Sequence, residues 1–136
     1  MPVFKNAEDL NRVMFALWDA IKADKSMSSQ LLRSKLTISF IYREPDSRLT
    51  LDCSDGEQLK VYIGETNFKP AVEMFMKSDL AHDFWLGKVN IPLALISGKI
   101  SSKGPVNVAL ALLPVIKPAF KIYPAIYQSN IVEENG

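Results

Sequence analysis

Between Leu10 and Ile21 the chain carries an uninterrupted apolar stripe: Leu10, Val13, Met14, Leu17, Trp18 and Ile21. This spacing puts all six side chains on one face of an α-helix, and no strand can satisfy it. Asn6 stands where an N-cap would accept an amide proton, and Glu8 and Asp9 fall in the first turn, beside the positive end of the helix dipole. A stripe this broad needs a flat apolar partner, and a sheet is the simplest one.

That sheet is legible directly downstream. Leu36, Ile38, Phe40 and Tyr42 alternate with Thr37, Ser39, Ile41 and Arg43, the period of a half-buried strand. Pro45-Asp46-Ser47 reads as a turn. Leu49, Leu51 and Cys53 then alternate with Thr50 and Asp52. Asp55-Gly56 signals a two-residue hairpin, and Leu59, Val61 and Ile63 alternate with Lys60 and Tyr62. The three strands form an antiparallel meander with one face solvated and the other under the first helix. A fourth strand spans 71–77, with Val72, Met74 and Met76 on one side.

Beyond it the spacing predicts two short helices. Ser78 caps the first, which runs through Leu80, Phe84 and Trp85 and ends at Gly87; Asn90 caps the second, with Pro92 early in it and Gly98 after it. A short strand over 99–103, a turn at Gly104 and an apolar helix opened by Pro105 close the pattern, and Pro114 kinks or stops that helix. Helix, run of strands, two short helices, strand, helix is an α+β order: five strands, antiparallel-dominated, covered by helices on one face. The 136 residues suffice for a single domain over 1–136.

The second half resembles the sterol carrier protein 2 (SCP-2) family. The resemblance is carried by Ser78-Asp79-Leu80, Trp85-Leu86-Gly87-Lys88, Ala94-Leu95-Ile96-Ser97-Gly98-Lys99-Ile100, Lys103-Gly104 and Ala109-Leu110-Ala111-Leu112-Leu113. It covers nearly the whole chain in element order and is motif-like from Gly87 to Leu113. It implies a five-stranded sheet with an apolar tunnel under its helices, holding a lipid or fatty acyl chain. The chain departs from the family pattern by continuing past Leu113 into a proline-punctuated apolar tail, 114–136. Its Val115, Ile116, Ala119, Phe120, Ile122, Tyr123 and Ile126 must pack on the chain's own body, on a second copy in a homodimer, or on a membrane, and a lid over the tunnel mouth is one form of the first.

Little else in the sequence offers chemistry. A net charge of +1, with no long basic run, argues against a nucleic-acid partner. With His82 as the only histidine, a catalytic triad and a histidine metal cluster are out of reach. The glycines form no phosphate-binding loop, and the acidic residues no calcium loop. The lone Cys53 excludes an internal disulfide; its place in an apolar alternation reads as an inert buried thiol. Together with a charged N-terminal stretch it suggests a reducing cytoplasm. The ending Glu133-Glu134-Asn135-Gly136 differs from the Ser-Lys-Leu peroxisomal address. Lys117 and Lys121, with Pro114, Pro118 and Pro124, interrupt the longest apolar region and argue against a membrane span.

The expected function is therefore reversible, non-enzymatic lipid binding without a cofactor. The resemblance implies Met74, Met76, Phe84, Trp85, Leu93, Ile96, Leu110, Leu113 and Ile116 as the tunnel lining, with Phe120 near its entrance. Lys99 and Lys103 read either as attractors for an anionic head group or as exposed strand ends. Two rival readings are an accessory protein of lipid or quinone biosynthesis that presents an apolar substrate at a membrane, with transient contact there, and an interaction module whose tunnel is filled by its own side chains.

Overall fold

The protein is described by a computed structural model over residues 3–131; Met1 and Pro2 and the ending 132–136, with the tail's last charged residues, lie outside the described residues. Helix α1 (Ala7–Ala23) forms as its stripe requires. Asn6 accepts the Asp9 amide, and all six stripe residues are buried. Asp24 ends α1 and at once caps α2 (Lys25–Ser34) by accepting the Met27 amide. This second helix was not expected from the sequence. Its polar serines mask the spacing of its two buried anchors, Met27 and Leu31.

Strands β1 (Thr37–Arg43), β2 (Ser47–Asp52), β3 (Lys60–Ile63), β4 (Val72–Lys77) and β5 (Ile100–Lys103) form one sheet in the order β3-β2-β1-β4-β5. The β1–β2, β2–β3 and β4–β5 pairs are antiparallel, but the central β1–β4 pair is parallel. The sheet is thus mixed, which corrects the expectation of an antiparallel-dominated one. Residues 64–71 carry the chain from the β3 edge to the far side of β1, which makes β4 run in the same direction as β1. On the way Phe68 packs edge-on against Tyr62, with ring centroids 5.8 Å apart.

Two local expectations also change. Asp55-Gly56 does not form a two-residue hairpin; residues 53–59 bridge β2 and β3, and the Asp55 carboxylate accepts the Glu57 and Gln58 amides. These amides, the largest contributions, hold the Asp55 carboxyl below its usual value, with Lys60 adding a smaller pull. Ser78 is not a cap but the first residue of α3 (Ser78–Trp85), and its buried hydroxyl donates to the Pro45 carbonyl at 2.7 Å. Asn90 does cap α4 (Ile91–Ile96), accepting the Leu93 amide.

The sheet's inner face presents Ile38, Phe40, Tyr42, Leu49, Leu51, Met74, Met76 and Ile100 toward the helices. Its other face carries Ser39 and Thr50, both fully buried and joined by a 2.6 Å hydrogen bond, and the partly exposed Arg48–Glu73 ion pair. Such a pair adds little stability.

Beyond Pro105 the chain breaks into α5 (Val106–Leu110), α6 (Leu113–Ile116) and α7 (Ala119–Asn130), the last two carrying the proline-rich tail. The 106–116 segment and α7 meet at 81° around Lys117-Pro118, and among the described residues no single helix is long and apolar enough to cross a membrane. As far as Ile131 the tail packs on the chain's own body. Ala119 and Tyr123 are fully buried, the Tyr127 hydroxyl donates to the Val3 carbonyl at 3.0 Å, and Arg12 reaches the Asn130 carbonyl at 3.3 Å.

Candidate functional site

The side chains that meet between the sheet and the helices leave a small apolar cavity. Its floor is sheet: Ile38, Phe40, Tyr42, Leu51, Met74, Met76 and Ile100. Its roof comes from α1 (Trp18), α2 (Leu31), α3 (Ala81, Phe84, Trp85) and α4 (Ile91), and from Ala109, Leu110, Leu112, Leu113 and Ile116 of the α5–α6 segment. The cavity measures about 80 Å³, smaller than the roughly 150 Å³ apolar cavity that accommodates benzene. Among the described residues no charged one lines it.

An outer groove of about 450 Å³ adjoins it, lined by Phe84, Val89, Asn90, Ile91, Pro92, Leu113, Pro114, Lys117 and Phe120. Phe84, Ile91 and Leu113 belong to both linings, so these three side chains form the partition between groove and cavity. A run of edge-to-face rings marks the route between them: Trp18–Trp85 at 5.6 Å, Trp85–Phe84 at 4.9 Å and Phe84–Phe120 at 5.4 Å. Gly87, at a φ of 77°, lets the chain pass close under Phe120, where an added Cβ would lie 3.4 Å from the ring. Among the described residues Lys117 is the only charged one that lines the groove.

The positions singled out in the sequence distribute clearly. Met74, Met76, Phe84, Trp85, Leu110, Leu113 and Ile116 line the inner cavity, and Phe120 lies in the outer groove. Leu93 and Ile96 line neither. They point outward from α4, 61% and 83% exposed, because Ile91 and Ala94 occupy that short helix's inner face. Lys103 reaches over the Phe75 ring, 5.6 Å from its centroid, and Lys99 is exposed; neither borders the cavity or the groove. Sequence reasoning missed Trp18, Phe40, Tyr42 and Leu51 as cavity walls, although their inward phase was visible. Periodicity identifies a buried face but not where packing on that face is incomplete.

The titratable groups near this core are held in their neutral forms. Burial pushes the Tyr42 hydroxyl far above its ordinary value. Burial, with Asp52 and Asp55 adding to it, pushes the Cys53 thiol up to about 12, which leaves it without nucleophilic character at neutral pH. His82 on α3 shares a 2.7 Å hydrogen bond with the Tyr123 hydroxyl on α7, and its ring lies 4.5 Å from that of Tyr127. Burial lowers the His82 pKa, with Lys88 acting in the same direction and Asp83 and Asp79 against it. The native state therefore takes up a proton at lower pH than the unfolded chain, whose histidine titrates near 6.5. Stability is expected to fall as pH drops below about 6.5 and through the lowered native value. Urea midpoints measured across that window should decline for the wild type, and a His82→Gln variant should show a shallower slope. Among the described residues no group of three His, Cys, Asp or Glu side chains is placed to hold a metal ion.

The sequence matches no protein-family model and no curated relative. Its fold is nonetheless found among solved structures. The sterol carrier protein domain 2 of Helicoverpa armigera superposes with a TM-score of 0.67 at 21% identity, covering 87% of this chain and 94% of that one. The apo form of sterol carrier protein 2 from Yarrowia lipolytica gives 0.63 at 19% identity, over 88% and 94% of the two chains. A ubiquinone synthesis protein, UbiJ-SCP2, gives 0.58 at 13% identity, over 76% and 84%. The chain therefore has the fold of the sterol carrier protein 2 domains.

Proposed function

We propose that this chain is a non-catalytic carrier that takes up a long apolar molecule (a fatty acid, an acyl chain or a sterol-like lipid) between sheet and helices. The observation that carries the reading is an apolar cavity parted from an outer groove by three apolar side chains alone, Phe84, Ile91 and Leu113, with Lys117 on the groove side. Met74, Met76, Phe84, Trp85, Leu110, Leu113 and Ile116 are the lining of the bound state, and Phe120 is its entrance. The sterol carrier relatives with the same fold support this choice.

At about 80 Å³ the cavity is far below the roughly 300–1,000 Å³ of a ligand site, so uptake requires the roof to move. The α5–α6 segment is suited to that. Its two helices are five and four residues long, neither has a side-chain cap, and α5 buries none of its residues. Met74 and Met76 on the floor add unbranched side chains that refill shapes easily. Burying about fifteen methylenes would contribute about 12 kcal/mol, against association costs of about 4–15 kcal/mol. The balance is a modest affinity, which fits a cargo that must also be released.

The test is native mass spectrometry of the freshly purified protein, followed by organic extraction. A stoichiometric lipid supports the carrier reading and names the cargo. An empty protein that also fails to take up a fluorescent fatty acid overturns it in favour of an interaction module filled by its own side chains.

The exposed Leu93 and Ile96 favour a second reading. Both belong to α4, whose first residues, Ile91 and Pro92, form the groove wall, so two large apolar side chains sit in water close to the entrance. Here the groove would open against a membrane and present an apolar substrate there to biosynthetic enzymes. A Leu93→Ser, Ile96→Ser double variant is then expected to take up ligand normally and to transfer it to vesicles several-fold more slowly. Unchanged transfer would remove the support for this reading.

A further inference from the structure

Every lining residue of the inner cavity is apolar in its side chain except three: Trp18, Trp85 and Tyr42. Trp18 is 98% buried, being 2% exposed, yet its indole Nε1 has no hydrogen-bond partner among the described residues. A buried N–H without an acceptor is an uncommon feature of a folded protein, because the group has left water without replacing the bond. The side chains that line the cavity with Trp18 supply almost nothing that accepts. The Tyr42 hydroxyl is the only side-chain oxygen in the lining, and the Met74 and Met76 sulfurs accept weakly.

We infer that the Trp18 indole N–H is the polar recognition point of the cavity, and that the cargo is an apolar molecule with an uncharged carbonyl oxygen that accepts from it. This rests on the carrier reading above and narrows it. An indole N–H only donates, so the ligand must bring an acceptor. The cavity lining holds no cation, so a carboxylate seated there would be buried without a counter-charge. An anionic head group has its counter-charge at Lys117 in the groove, on the other side of the Phe84–Ile91–Leu113 partition. A pure hydrocarbon would leave the N–H as it is. A ketone, ester or quinone-type carbonyl satisfies it.

The experiment compares undecanone, a long-chain methyl ketone, with undecene, the matched hydrocarbon, on the full chain. Titration is followed by the indole N–H resonances in proton–nitrogen correlation spectra. A Trp85→Phe variant leaves one indole signal and so assigns that of Trp18. Undecanone is expected to bind about fivefold or more tightly than undecene, the ordinary worth of one neutral hydrogen bond, and to move the Trp18 indole proton downfield. A Trp18→Phe variant, which removes the donor and keeps an aromatic ring, is expected to lose the preference, its ratio of undecanone to undecene affinity falling to about one whatever its absolute affinities.

Equal affinities with an unmoved indole proton overturn the inference and leave the carrier reading standing. An indole proton already shifted upfield and indifferent to the ketone also overturns it. The N–H would then be spent on the face of the Trp85 ring, which meets Trp18 edge-to-face at 5.6 Å. Binding of neither probe removes the carrier reading itself, and this inference with it.

Discussion

A Leu113→Glu variant is expected to fold and to lose lipid uptake, with affinity for a fluorescent fatty acid falling about a hundredfold or more. Leu113 opens α6 and belongs to the linings of both the inner cavity and the outer groove. It is only partly buried, so a glutamate can turn toward water without disrupting the core in the free protein. In the bound state the same carboxylate would border an acyl chain with no cation on the cavity side, and desolvating an unpaired charge costs several kcal/mol. Displacement titration measures the loss, and a thermal melt checks that the variant is folded. Leu113→Met keeps shape and polarity and should bind within a few-fold of wild type. If the glutamate variant is folded and binds unchanged, the ligand does not pass this partition and the proposed site is misplaced. Leu110→Glu, one turn earlier in the roof, should behave in the same way.

The largest effect on stability is expected at Gly104, in the turn from β5 to α5. Its φ is +93°, and a Cβ there would lie 2.2 Å from the Ala71 carbonyl oxygen and 3.3 Å from its carbonyl carbon. The obstacle is backbone at the start of β4, not a side chain that can swing away. Gly104→Ala therefore carries the left-handed backbone penalty of about 1–3 kcal/mol and must in addition push β5 away from β4. A loss of about 2–4 kcal/mol is expected, read as a fall in the urea midpoint of about 1 M or more. Gly98→Ala is the matched control. Its φ is +82°, but nothing lies within 4 Å of the added Cβ, so only the backbone penalty of about 1–2 kcal/mol should appear. Equal losses in the two variants would show that the Ala71 contact yields easily.

What was legible in the sequence was local phase. The stripe from Leu10 to Ile21 and the alternations from Leu36 to Tyr42 and from Val72 to Met76 each expose one face to the core. A side-chain period depends only on backbone geometry within the element. Asn90 and Gly87 were legible for the same reason, since capping and positive φ are decided within a few residues. Helix α2 escaped because only two of its side chains, Met27 and Leu31, are buried, too few to form a pattern among its serines. Ser78 was misread as a cap because its partner, the Pro45 carbonyl, lies 33 residues away in sequence.

The sequence by itself thus determined which faces are apolar and where most elements begin and end. Tertiary structure decided the rest. Alternation is the same in parallel and antiparallel strands, so only the path of residues 64–71 could set β4 parallel to β1. Only packing could divide one apolar inventory into core, cavity wall and exposed surface. Ile91 and Ile96 are chemically identical and five residues apart, yet one closes the partition and the other stands in water, because a short helix has one inner face. The stripe announced Trp18 as core. That its N–H lacks an acceptor beside a cavity follows from the neighbours the fold brings to it.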